Sequence, residues 1–156
     1  MSIELPIAWI VILNVLGWPT IQFGLAWGWT RVPAKWLNPP PALHFELRGR
    51  FYQNVFNIRI WKDLLPDGAN WLSGGFPKAS LQHSSPAYIR RFVVETWRGE
   101  LCHWCALGFV PLFFLWNPWW GDLIIIGYAL TANLPCILVQ RFNRARMQQS
   151  LERTVP

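Results

Sequence analysis

Three long stretches of this chain carry no Asp, Glu, Lys or Arg, and that absence limits its folding more than any other feature. They are residues 5–30, 101–121 and 123–140, and the second has His103 and two cysteines as its ionisable groups. Each approaches or exceeds the roughly 20 residues that cross a hydrocarbon core. A backbone inside lipid must satisfy its own hydrogen bonds, so stretches of this kind are helices. Charged residues make up 14% of the chain and hydrophobic ones 53%, against about 25% charged in ordinary soluble domains. The expected fold is an all-α integral membrane protein with about three transmembrane helices, spanning about 5–29, 101–117 and 121–141.

The first stretch is expected to be a retained span rather than a cleavable signal. It follows MSIE, which is acidic rather than basic, and lacks a small-x-small site. All fourteen Lys and Arg fall within residues 31–98 and 141–153, none before the first span and none in the turn NPWWGD. Three crossings put both basic segments on one side, which the positive-inside rule makes cytoplasmic. The chain is therefore expected to be multi-pass in the cell membrane, with its N-terminus outside and its C-terminus cytoplasmic. Trp9, Trp116, Trp119 and Trp120 suit an outer aromatic belt, and Trp27 and Trp29 an inner one. The net charge of +6 points to membrane lipid as a partner. No nucleic-acid module accompanies it.

Residues 31–100 form the expected cytoplasmic interfacial segment. Pro33 and Pro39 to Pro41 make a stiff connector. From Glu46 to Leu65 the apolar positions recur at helical spacing beside Arg48, Arg50, Arg59 and Lys62, the pattern of an amphipathic helix lying in the interface. Pro66-Asp67-Gly68 signals a turn, and a loop is expected over WLSGGFPKAS. Ser85-Pro86 reads as an N-cap with proline at the first helical position, opening one helix that continues into the second span. No repeat divides the chain, so residues 1–156 are one membrane-embedded domain. Cys102 and Cys105 form a lone C-x-x-C beside His103, too few ligands for a structural zinc site. No metal is expected.

Polar residues concentrate where the second and third spans meet the inner interface. Glu95, Arg98, Glu100 and His103 lie within about two turns, each i, i+3 pair sharing a face. Folding the hairpin at about residue 119 sets His103 level with Pro135, Arg98 with Gln140, and Glu95 with Asn143 or Arg144, from a common rise of about 1.5 Å per residue. Asn133 and Gln140, seven apart, project from nearly one side, and Arg144 continues it. Polar groups at membrane depth are costly and mark sites or cavities. His103 suits a base near neutral pH. Ion pairing between helices is the competing account of Glu95, Arg98 and Glu100, and a cytoplasmic anchor that of Arg141, Arg144 and Arg146.

The ordered motifs T-R-V-P at 30–33, F-E-x-x-G-x-F at 45–51, R-x-W-K at 59–62, D-G at 67–68, E-T-x-R-x-E-L-x-H-W at 95–104 and N-x-P-x-x-x-x-Q-R-x-N-R-x-R at 133–146 resemble the glycosyl-4,4'-diaponeurosporenoate acyltransferase family over about residues 22–150. The resemblance implies an integral membrane enzyme that esterifies a sugar hydroxyl of a glycosylated carotenoid, or a similar glycolipid, with a fatty acyl group. No cofactor is implied beyond an acyl donor such as acyl-CoA or an acyl carrier protein. For that reaction His103 is the candidate base, oriented by Glu100 or Glu95. Asn133 and Gln140 are candidates for oxyanion or sugar hydrogen bonds, Arg141 and Arg144 for donor phosphate, and Arg98 and Asn143 for further substrate contacts. No H-x-x-x-x-D occurs, since Gly49, Tyr88 and Gly108 stand five residues after His44, His83 and His103. The rival functions are a non-catalytic pigment- or lipid-binding subunit and another interfacial transferase such as a lipid methyltransferase. So small an interior is also compatible with a homo-oligomer that completes the cavity.

Overall fold

The structure, a computed structural model, describes residues 5–65, 76 and 82–154. Every regular element among them is helical. Helix α1, Ile7–Arg31, is 25 residues long and accommodates Pro19 in its interior. Its apolar surface is mostly uncovered: Ile7, Trp9, Val15, Leu16, Phe23 and Trp27 are all more than half exposed. An uncovered apolar face of that size and composition marks a surface that meets lipid or a partner rather than water. Two described helices, α1 and the last one, are long and apolar enough to cross a membrane.

The segment expected as one interfacial helix is instead broken into short pieces. A 3₁₀ turn at His44–Gly49 leads into α2, Arg50–Phe56, then α3, Ile58–Trp61, and a further 3₁₀ turn at Lys62–Leu64. Three positive φ angles explain the breaks: 61° at Arg48, 88° at Gly49 and 48° at Asn57. Left-handed residues stop a right-handed helix and redirect the chain. Gly49 is also a point of close approach, because a Cβ there would lie 2.9 Å from Arg146 Cγ and 3.2 Å from Phe142 Cδ2. The expected turn at 66–68 and the loop over 71–80 lie outside the described residues, Phe76 excepted.

Helix α4, Pro86–Gly108, begins as the sequence indicates. The Ser85 side chain accepts a hydrogen bond from the Tyr88 backbone N–H, and Pro86 opens the helix. It does not continue through the second apolar stretch. The helix ends at Gly108, a single-turn helix α5 follows at Val110–Phe113, and residues 114–116 form a turn. Pro111 supplies the reason: it lacks an N–H, and its ring clashes with the preceding turn of a helix.

Helix α6, Trp119–Thr154, is 36 residues long, about 54 Å at the α-helical rise. That exceeds a core of roughly 30 Å, so its C-terminal portion continues past any crossing and stays paired with the first half of α4. Three clusters hold the assembly. Trp18, Val110, Phe113, Ile125 and Ala129 join α1, α5 and α6. Tyr52, Ile58 and Phe142 dock the short helices onto α6. Phe92, Val93 and Met147 close the far end of the hairpin with Phe76 and Ile89.

Candidate active site

His103 sits on α4 facing α6, and its Nδ1 lies 2.8 Å from Asn133 Oδ1. The orientation of the Asn133 amide settles the direction of that bond. Its Nδ2 donates to the Ala129 carbonyl at 2.8 Å, so Oδ1 faces the imidazole and can only accept. Nδ1 is therefore the donor in this bond. Asn133 is fully buried. Its oxygen also receives Gln22 Nε2 at 3.3 Å, which ties α1 to the same point.

About one turn along α4, Glu100 anchors a ladder of buried charge. Its Oε2 accepts from Arg144 at 2.5 Å, and both side chains are 3% exposed. Its Oε1 accepts from the Trp104 indole at 3.3 Å and lies 3.8 Å from Arg141. Arg141 in turn donates to Glu46 Oε1 at 3.1 Å. Glu46 is 2% exposed and takes two further donors at 2.5 Å, the Tyr52 hydroxyl and the Leu43 backbone N–H. Burial foremost, then the Glu46 carboxylate beside it, pushes the Tyr52 phenol well above its ordinary range, so it is a fixed donor. Two carboxylates face two guanidiniums, and Arg144 also lies over the Trp97 ring at 5.1 Å. A buried ionic group needs this degree of partnering to be tolerated.

The candidates named from sequence thus separate into groups. His103 and Asn133 meet directly, and Glu100, Arg141 and Arg144 form the adjoining ladder. Glu100 makes its hydrogen bonds to Arg144 and Trp104, while Asn133 takes the Nδ1 position. Glu95 and Arg98 pair with each other at 2.9 Å. Arg98 also donates to the carbonyls of Trp29 and of Val32, the latter at 2.6 Å. Those are C-terminal carbonyls of α1, so this cation caps that helix end and complements its dipole. Gln140 packs against Gly99, where a Cβ would lie 3.2 Å from its amide. Its buried Oε1 has no hydrogen-bond donor among the described residues. Asn143 is half-buried on α6, and no described hydrogen bond joins it to the cluster.

Sequence reasoning missed Glu46, Tyr52 and Gln22. Gln22 carried a signal, since it and Asn14 are the two amides in the first uncharged stretch. Glu46 and Tyr52 lay inside a quoted motif or just beyond it, without any cue that they reach α6.

The sequence model of a family described as glycosyl-4,4'-diaponeurosporenoate acyltransferase matches residues 33–153. Among curated relatives, the enzyme so named from Staphylococcus aureus strain USA300 is 33% identical over 139 residues, covering 86% of this chain and 83% of its own length. The counterparts from strains bovine RF122 / ET3-1 and MRSA252 show the same identity and coverage. No solved structure matches with significance. Both polar groups, His103 with Asn133 and the Glu46 to Arg144 ladder, fall inside the family match.

Proposed function

The chain belongs to the glycosyl-4,4'-diaponeurosporenoate acyltransferase family, and from that membership we propose that it esterifies a sugar hydroxyl of a glycosylated carotenoid with a fatty acyl group at the cytoplasmic membrane interface. The observation that carries the assignment of roles is the hydrogen bond between His103 Nδ1 and the buried Asn133 Oδ1. Nε2 removes the proton of the sugar hydroxyl as its oxygen attacks the acyl carbonyl. A tetrahedral intermediate forms and collapses, the donor's thiolate leaves, and the ester remains; the imidazolium returns its proton to the thiolate.

Asn133 holds the base in place, the role the sequence had suggested for Glu100 or Glu95. Asn133 Nδ2 spends one N–H on the Ala129 carbonyl, and we assign the bonds to the oxyanion or the sugar to the neighbouring amides of Gln22 and Gln140. The unpartnered Gln140 Oε1 suits a hydroxyl donor, because a buried acceptor left unpaired costs about 1–3 kcal/mol. Arg141 is the exposed edge of the ladder, with 26% of its side chain accessible, and is the residue for phosphate of an acyl-CoA or acyl carrier protein. Arg144 is enclosed and holds the ladder together.

The topology we infer has α1 crossing once, the end of α4 with α5 crossing back, and α6 crossing again, with the C-terminus cytoplasmic. Exposed Phe109, Leu112 and Leu115 on the second limb and the placement of all basic residues support it.

The test is mass spectrometry of lipid and pigment extracts from cells lacking the gene, restored with wild type or His103→Ala. Restoration of one acylated glycoside by the wild type alone, with its unacylated precursor accumulating in the mutant, is the expected result. A roughly 10²- to 10⁴-fold loss matches removal of a general base. Full activity of the mutant removes His103 from the role.

A further inference from the structure

A groove of about 360 Å³ runs between α1 and α5, lined on one side by Leu13, Gly17, Thr20 and Ile21 and on the other by Phe113 and Trp116 among others. We propose that it holds the alkyl chain of the transferred acyl group and sets the length of chain the enzyme accepts; this rests on the acyl-transfer reading above.

Three features of the groove point to that occupant. One end lies at the level of the site: Ile21, at the end of the lining, is followed on α1 by Gln22, whose amide bonds the Asn133 oxygen that holds His103. Trp116 stands at the other end. The Trp116 indole donates to Asn14 Oδ1 at 3.0 Å, and Asn14 exchanges amide hydrogen bonds with Asn117 at 2.8 and 3.1 Å. Asn117 is 2% exposed and packs so closely on Gly121 that a Cβ there would lie 2.9 Å from its Oδ1. Amides at this depth are costly to leave unpaired, so the pair locks Trp116 as a rigid stop.

Between the ends the wall is apolar. The Thr20 hydroxyl, the other polar atom among the lining side chains, donates to the Leu16 carbonyl at 2.7 Å. From Leu13 to Ile21 is eight residues, about 12 Å of helix, less than half of a roughly 30 Å core. A flexible saturated chain can lie in a short apolar groove that ends at Trp116; a rigid polyene that extends far into the core does not. At mid-length, Gly17 keeps the channel open: a Cβ would already sit 3.4 Å from Phe113 Cε1, so a longer side chain enters the groove.

The experiment uses full-length protein in deletion cells, at membrane levels matched by immunoblot, and reads the acyl-chain distribution of the ester by mass spectrometry. Gly17→Leu is expected to shift the product toward shorter chains, read as a severalfold rise in the ratio of short-chain to long-chain ester. Trp116→Ala is expected to shift it toward longer ones. Leu16→Trp narrows the groove from its 64% exposed side and replaces Gly17→Leu if that variant does not accumulate. A narrowed groove that still yields the wild-type chain distribution overturns the proposal and leaves the groove to bulk lipid. If the wild type itself restores no ester, the acyl-transfer reading fails instead.

Discussion

Replacing Asn133 with Leu isolates the contribution of the imidazole's orientation. The side chain is fully buried, Leu is of similar size, and the Ala129 carbonyl retains its place in the α6 ladder, so the helix loses little. His103 loses the acceptor 2.8 Å from Nδ1, and Gln22 loses its partner. Leaving a buried donor unsatisfied costs about 1–3 kcal/mol. If that cost falls on the reacting tautomer rather than on the fold, the rate drops roughly 5- to 150-fold at 1.36 kcal/mol per decade. The assay is the initial rate of ester formation in membranes as the glycoside concentration is varied. The expected outcome is a fall in kcat with KM changed less than about twofold, the pattern of an interaction used at the transition state. Thermal unfolding in detergent separates this from a folding defect. An unchanged kcat in folded protein would refute the argument that Asn133 fixes the base.

Glu100→Gln leaves Arg144, 3% exposed, without its carboxylate, and a broken buried pair costs about 3–5 kcal/mol. Lower unfolding temperature in detergent is expected, and Glu100→Leu with Arg144→Met is expected to recover most of it; a single variant as stable as wild type contradicts a buried pair. Tyr52 ties the surface segment to the ladder, and its raised pKa gives a pH signature. The folded protein keeps the phenolic proton that the unfolded chain releases near pH 10, so stability falls as pH rises above that point, by up to about 1.4 kcal/mol per unit. Tyr52→Phe is expected to lose the Glu46 hydrogen bond, about 1 kcal/mol, and to lack that alkaline component; equal alkaline slopes in both proteins count against it.

The hairpin was legible because apolar runs with no charge admit few alternatives to helix. Counting from residue 119 set His103 level with Pro135, and it bonds Asn133, two residues away. The small offset arises because Gly108, Pro111 and the turn after α5 replace helical rise with irregular chain, and the count assumed none. The interfacial segment was misread as one helix although Gly49 and Asn57 stood in it, the two residue types that most readily take positive φ. Glu46 escaped because its partner Arg141 lies 95 residues away; a single carboxylate in a short, irregular segment has no periodicity to reveal its face. Arg98 stayed ambiguous for the converse reason: a cation one turn from a carboxylate looks like part of a site whether it binds a ligand or caps a neighbouring helix.

The ladder explains why a chain with so little interior keeps two carboxylates and two guanidiniums where apolar packing would be simpler. Well-packed hydrophobic residues often stabilise at least as well as a buried ion pair. They would not fix depth, because one apolar contact in lipid is much like another and a helix can slide past its neighbour at small cost. Hydrogen-bonded charges admit one register. Glu100 with Arg144 locks α4 against α6 a turn from the His103–Asn133 bond, and Glu46 with Arg141 locks the short surface helices to the same turn of α6. On the apolar side, the Asn14–Asn117 pair and the Gln22–Asn133 bond fix α1 against the other helices at two heights. On the acyl-transfer reading proposed above, a base that meets a sugar and a thioester at one depth of the membrane needs that register more than it needs the added stability.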